Sequence, residues 1–151
     1  MQQHGAAMVD ISAKGAMERV SLASGRIKLQ RSTIAKILSG TTRKGNVLET
    51  AEIAAILAVK KTPEVIPLCH QINIDKVDVG FSIEEDQIKA TIAVKSVGKT
   101  GVEMDALHGV SVALLTIWDM VKAEEKDETG NYPHTFIEQI KVDKKEKRAT
   151  G

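Results

Sequence analysis

Aromatic side chains are scarce: one tryptophan, one tyrosine and two phenylalanines stand among 151 residues. Single-stranded nucleic acid is gripped largely by stacking bases on such rings, so that role is disfavoured from the start. An excess of either charge is also missing. Lysine and arginine number 21 and aspartate and glutamate 20, a net charge of +1. No global field therefore draws the chain to nucleic acid or an anionic membrane, and any anion site must be local. Cys69 is the only cysteine, which excludes an internal disulfide and fits a reducing compartment. No apolar run approaches the length that spans a bilayer, and Met1-Gln2-Gln3-His4-Gly5 lacks the regions of a signal peptide. The expected location is the cytoplasm. His4, His70, His108 and His134 are scattered, and no Cys-x-x-Cys or His-x-x-x-His spacing occurs, so no metal site is expected.

What remains is enough for one domain with its own core. Residues 1–24 are weakly periodic and punctuated by Gly5, Gly15 and then Gly25, which predicts a flexible N-terminal arm ahead of a single domain over 25–151. Arg26 to Gln30 alternates like a short strand, and Ser32 is placed to cap a brief helix that Gly40 ends. Asn46 with Glu49 forms a capping-box-like start for a helix from Val47 to about Lys60, whose exit Pro63 and Pro67 bound. Val77, Val79, Phe81 and Ile83 alternate before the turn Glu84-Glu85-Asp86, and Ile88, Ala90, Ile92 and Val94 alternate after it, which predicts a hairpin with one buried face. Leu107, Val110, Leu114, Ile117 and Val121 recur at steps of three and four, marking a long amphipathic helix from about Val102 to Glu125. A last strand, roughly Thr135 to Lys144, carries Ile137 and Val142, with Ile140 out of step. The order is that of a ferredoxin-like α+β sandwich, an antiparallel sheet with helices packed on one face. The bare face and edges of such a sheet invite oligomerisation.

Several polar residues stand out against this frame. Asp119 and Lys122, three apart on the long helix, can pair and tune each other's proton affinity. The ordinary reading is a solvated surface salt bridge. Against it, Met104, His108, Ser111, Leu115 and Lys122 form a second, mixed stripe with Asp119 at its edge, which suits an interface or a pocket wall. His70 follows Pro67-Leu68-Cys69 in a loop before a strand, where either a structural or a functional histidine could sit. Cys69 by itself reads as a small buried hydrophobe. Lys44 lies in the turn Thr41-Thr42-Arg43-Lys44-Gly45 at a helix N-terminus, where phosphate can bind, although the Walker spacing is absent. Glu103 and Asp105 diverge by about 200° on a helix and cannot act as one carboxylate dyad.

Taken together, Met8-Val9-Asp10-Ile11-Ser12-Ala13-Lys14, Arg43-Lys44-Gly45-Asn46-Val47, Pro67-Leu68-Cys69-His70, the string Lys99 to Leu107, and Trp118-Asp119-Met120-Val121-Lys122 resemble, in order and spacing, the cyclic pyranopterin monophosphate synthases of the MoaC family. The resemblance covers nearly the whole chain. It implies a ferredoxin-like enzyme of molybdenum cofactor biosynthesis. Such an enzyme converts a 3',8-cyclised dihydroguanosine triphosphate, supplied by a radical enzyme, into cyclic pyranopterin monophosphate and diphosphate. Carried over by motif, Asp119 is the catalytic acid/base, Lys122 the catalytic lysine and Lys44 another essential lysine. Leu68, Cys69, His70, Met104 and Asp105 match substrate-binding segments, Glu103 a further pocket carboxylate and Arg19 an arginine of the arm. No cofactor is implied, and no flavin, nicotinamide or iron–sulfur signature is present. The implied assembly is a hexamer, a trimer of dimers.

Two departures from the family pattern matter. Asp105 stands where glutamate is usual, and the usual C-terminal loop is replaced by Asp143-Lys144-Lys145-Glu146-Lys147-Arg148, in which Lys144 or Lys145 could stand for the loop lysine. Helix geometry adds a constraint. Fourteen residues at about 1.5 Å each put Asp105 and Asp119 roughly 21 Å apart on one continuous helix, too far for one small substrate. Either the helix starts later or bends, or two subunits share each site. The rival function is a non-catalytic ferredoxin-like module that binds a small ligand and oligomerises; it gives no joint role to Asp119, Lys122, Lys44 and His70.

Overall fold

Alternation of small apolar side chains with polar ones organises the sheet. In the computed structural model, which describes residues 5–150, the elements are β1 (Met17–Lys28), α1 (Arg31–Ser39), α2 (Val47–Lys60), α3 (Thr62–Val65), β2 (Ile74–Ile83), β3 (Gln87–Gly98), α4 (Glu103–Glu125) and β4 (Phe136–Arg148). Residues 1–4 of the expected arm, with His4, lie outside the described residues. Strand β3 buries Ile88, Ala90, Ile92 and Val94 on one side, and β1 buries Ser21, Ala23 and Ile27 on the same side. The strands order β2-β3-β1-β4, all neighbours antiparallel, with β1 and β3 central. Helices α2 and α4 pack on each other and cover that one face, the ferredoxin-like arrangement.

The predicted hairpin, α2 and α4 stand where their periodicity placed them. Asn46 Oδ1 accepts from the Glu49 amide at 3.0 Å, capping α2. Gly40 ends α1 in the left-handed region at φ 70°. By length and composition α4 could cross a membrane, but 50% of its apolar window is buried inside the molecule. Its apolar character is that of a core helix.

Other expectations need correction. The predicted boundary between arm and domain at residues 24 and 25 falls inside β1, which begins at Met17. Its first half carries Arg19 and Ser21 at inward positions, so its alternation is weak and pairing on both sides decides the conformation. Helix α1 starts at Arg31 and is not capped by Ser32. Its N-terminus is satisfied from a distance by the buried carboxylate of Glu125, which accepts from the Gln30 amide at 3.2 Å, from the Thr33 hydroxyl, and from the Thr135 hydroxyl at 2.7 Å. Pro63 does not end a helix but sits in the first turn of α3, where its missing N–H is not needed. Strand β4 runs on to Arg148. Ile140 is out of step because Gln139 has φ 57° and the register shifts opposite Gly25, a bulge.

Gly25 lies directly under α4. A β-carbon there would stand 2.8 Å from Leu114 and 2.9 Å from Val110. Gly25→Val should therefore destabilise the fold by roughly 1–3 kcal/mol through overpacking, seen as a lower urea midpoint at unchanged slope.

Candidate active site

The C-terminal half of α4 meets the loop before α2. That loop is a tight turn: Gly45 has φ 105°, and the Thr42 hydroxyl donates to the Gly45 carbonyl at 2.6 Å. It is fastened to α4 by the Arg43 amide, which donates to Glu124 Oε1 at 2.9 Å. The turn delivers Lys44 Nζ to Asp119 Oδ2 at 2.9 Å, while Lys122 Nζ reaches Asp119 Oδ1 at 3.1 Å from one turn further along the helix. Asp119 is thus bracketed by two lysines, and their hydrogen bonds, Lys44 first, hold its carboxyl below the usual aspartate range. A carboxylate so placed is ionised at neutral pH, and its proton affinity stays low for as long as both lysines hold it.

The other end of α4 holds a second group. Asp105 is buried, at 1% exposure. Burial, reinforced by the Glu103 charge and opposed by its own amide and the Thr62 hydroxyl, pushes its carboxyl up to about 6. Asp105 Oδ2 and Glu103 Oε2 are both buried without a hydrogen-bond partner. Glu103 Oε1 takes Lys145 Nζ at 3.1 Å. A β-carbon on Gly101 would lie 2.2 Å from the Glu103 carboxylate, so only glycine lets that side chain fold back in this way. Cys69 sits close enough that both carboxylates, after burial, raise its thiol, which leaves it a poor nucleophile. Arg19 donates Nε to the Gly98 carbonyl at 3.1 Å and, with Ser21, Gly101, Lys145 and Lys147, lines a cleft of about 340 Å³. Leu68 and Met104 are exposed nearby in sequence, and His70 Nε2 lies 2.6 Å from the Val9 carbonyl.

The two C-terminal lysines take opposite faces of β4. Lys145 pairs in register with Ser21, whose side chain faces the helices, whereas Lys144 pairs with Leu22 on the open face and bonds Glu146 at 2.6 Å. Lys145 is the one that reaches the cleft. Lys147 and Glu124 were missed by sequence reasoning. The spacing of Lys145 and Lys147 on one strand face was a usable signal; nothing in Glu124-Glu125 says which carboxylate docks a loop and which is buried. His108 belongs to neither group. Its Nδ1 lies 2.9 Å from the Ala58 carbonyl and 3.1 Å from the Thr62 hydroxyl, which makes it a satisfied packing histidine and removes it from the proposed interface stripe.

Helix α4 starts at Glu103 and runs without a break to Glu125, so a later start does not bring the two groups together. Asp105 and Asp119 are separated by about 21 Å of helix axis. Within one chain the sequence-predicted residues form two groups: Lys44, Asp119 and Lys122 at one end, and Arg19, Cys69, Glu103 and Asp105 at the other, with the loop residues Leu68 and His70 adjoining Cys69. Among the described residues no three histidine, cysteine or acidic side chains are grouped to hold a metal ion.

Comparison with known proteins is consistent along the chain. The MoaC family model matches residues 8–148. A probable cyclic pyranopterin monophosphate synthase of Methanococcoides burtonii is 63% identical over 140 residues, covering 93% of this chain and 88% of that protein. Proteins with the same description from Methanosarcina acetivorans and Thermococcus kodakarensis are 61% and 56% identical, covering 91% and 97% of this chain and 87% and 94% of those proteins.

The raised Asp105 carboxyl has a thermodynamic signature. Its folded-state pKa lies above that of an unfolded aspartate, so the associated stability is fully present below about pH 4 and is lost as pH rises through about 6. Asp105→Asn removes that titration. The melting temperature of the variant relative to the parent should climb between pH 4 and pH 7, measured by calorimetry in matched buffers.

Proposed function

The chain belongs to the MoaC family, and from that membership we propose that it is a cyclic pyranopterin monophosphate synthase acting in molybdenum cofactor biosynthesis on 3',8-cyclised dihydroguanosine triphosphate. The observation that carries the reading is Asp119 held at hydrogen-bond distance between Lys44 and Lys122. The reaction opens a purine-derived ring, which needs proton transfers. It also closes a cyclic phosphate as a substrate hydroxyl attacks the α-phosphorus and diphosphate leaves, which needs charge neutralisation. Lys44 supplies charge to the phosphates. As it turns from Asp119 toward the substrate, it relinquishes the hydrogen bond that most depresses that carboxyl, so Asp119 can hold a proton it takes from the substrate. Lys122 keeps the carboxylate oriented.

The opposite end of α4 supplies recognition. The partnerless oxygens of Glu103 and Asp105 are acceptors for the amide and amine edge of the guanine-derived ring, and Arg19, Lys145 and Lys147 present cations at the cleft. Because the two groups are about 21 Å apart along an unbroken helix, each site joins Lys44, Asp119 and Lys122 of one subunit to His70, Glu103 and Asp105 of its neighbour. The assembly implied is a hexamer built as a trimer of dimers. The exposed apolar side chains Ile53 and Leu57 on α2 and Met104 and Leu115 on α4 give the helix layer a surface suited to such contact. A nucleotide-derived substrate delivered by a separate radical enzyme fits a cytoplasmic location.

Incubation with the cyclised triphosphate should yield diphosphate and cyclic pyranopterin monophosphate; binding without turnover would sink the enzymatic reading. Asp119→Asn should abolish turnover with an unchanged circular dichroism spectrum. Lys44→Ala should weaken affinity for the triphosphate, and raised salt should mimic part of that loss. Asp119→Asn and His70→Ala proteins, each inactive, should regain activity when their subunits are mixed and reassembled. No recovery after demonstrated exchange would rule out the shared site.

A further inference from the structure

Residues 8–14 have no place in the chemistry described so far, yet they lie across the recognition end of the molecule. Their course is set by local bonds. Asp10 Oδ1 accepts from the Ser12 amide at 2.9 Å, and the Lys14 amide donates to the Ile11 carbonyl at 3.0 Å, two successive turns that bend the segment inward. Ile11 is half-buried, while Met8 and Val9 are exposed. Ile11 shares the wall of a cleft of about 210 Å³ with residues 71–73 and residues 97–100. The first of these stretches directly follows Cys69 and His70, and the second leads into Gly101 and Glu103. One apolar side chain thus borders the same cleft as the stretches that adjoin both strings of the recognition group. At the outer end of the same turn the Val9 carbonyl sits 2.6 Å from His70 Nε2.

A backbone carbonyl only accepts, so this contact assigns a proton to Nε2. In a neutral imidazole the other nitrogen, Nδ1, is then the acceptor. We propose that residues 8–14 form a positioning strap for His70, in which the Val9 carbonyl fixes the ring orientation and the Nε2–H tautomer and Ile11 anchors the strap. The proposal rests on His70 serving the active site as proposed above. Ile11 and Asp10 are positioning residues: neither is placed against the substrate, and each acts through the imidazole. The same logic governs histidines whose second nitrogen is held by an outer partner, where loss of that partner costs roughly 10–100-fold.

The test separates the strap from the reading beneath it. In the full-length, ¹⁵N-labelled protein at a pH where His70 is neutral, the ring nitrogens report the tautomer directly. The parent should show Nε2–H. Ile11→Asp, which expels the anchor into water, and Asp10→Ala, which removes the turn, should both give a tautomer mixture. With the cyclised triphosphate as substrate, kcat should fall roughly 10-fold or more with little change in melting temperature. Ile11→Val and Asp10→Asn keep the apolar anchor and the turn acceptor and should restore both the spectrum and kcat. An unchanged His70 tautomer in Ile11→Asp and Asp10→Ala overturns the strap whatever the activity. A shifted tautomer with parental kcat overturns its role in turnover. Full turnover by His70→Ala would instead overturn the active-site reading of His70 and with it the strap's catalytic purpose.

Discussion

Everything of functional interest hangs on the burial of one unbroken helix. Ala106, Val110, Ala113, Leu114, Ile117 and Val121 of α4 are fully enclosed against β1, β3, β4 and α2. Burying each larger aliphatic side chain of that stripe is worth about 1.5–3 kcal/mol. The alanines, with Gly109 set against Val59 and Ile92, let the neighbouring layers come close. A rod held along its whole length cannot bend to bring its ends together. The spacing between the two candidate groups is therefore a property of the core, and the proposal of a shared site rests on it.

The two ends of that rod create opposite environments for the same functional group. Asp119 lies at the surface, where two lysines favour its charge. Asp105 lies under protein, where desolvation and Glu103 oppose its charge. Carboxyls driven apart in this way are suited to different tasks, which is what the roles proposed for Asp119 and Asp105 require. The lone cysteine follows the second pattern, because the environment that raises Asp105 also raises the Cys69 thiol.

The parts of this molecule legible in sequence are those where local pattern and tertiary demand agree. Strand β3 alternates because it is buried on one face only, α2 begins at a side-chain cap three residues from its partner amide, and α4 repeats an apolar stripe for about four turns. The parts that were not legible depend on distant partners. The first half of β1 owes its strand conformation to ladders with residues up to 130 positions away, as Glu18 opposite Arg148 shows. The start of α1 is fixed by Glu125, 95 positions from Gln30. Of the residues the motifs single out, the structure draws Lys44, Asp119 and Lys122 together at one end of α4 and Cys69, Glu103 and Asp105 at the other. The selection of Lys145 over Lys144 required the register of β4 against β1, which two bulges make unreadable from spacing.

The place of β1 between β3 and β4 also governs how the chain comes into being. The strand is the first of the four to leave the ribosome, and its partners follow only after residues 87–98 and then 136–148 have been made. Until then Ala23 and Ile27 have no cover, and both backbone edges of β1 are free to pair with another nascent chain. Long-range pairing of this kind is slow to form, which lengthens the exposure. The charged side chains of Arg19, Arg26 and Lys28 punctuate the strand through that interval and discourage edge-to-edge association. The polar interruptions that blur β1 in the sequence thus also serve as protection during biosynthesis.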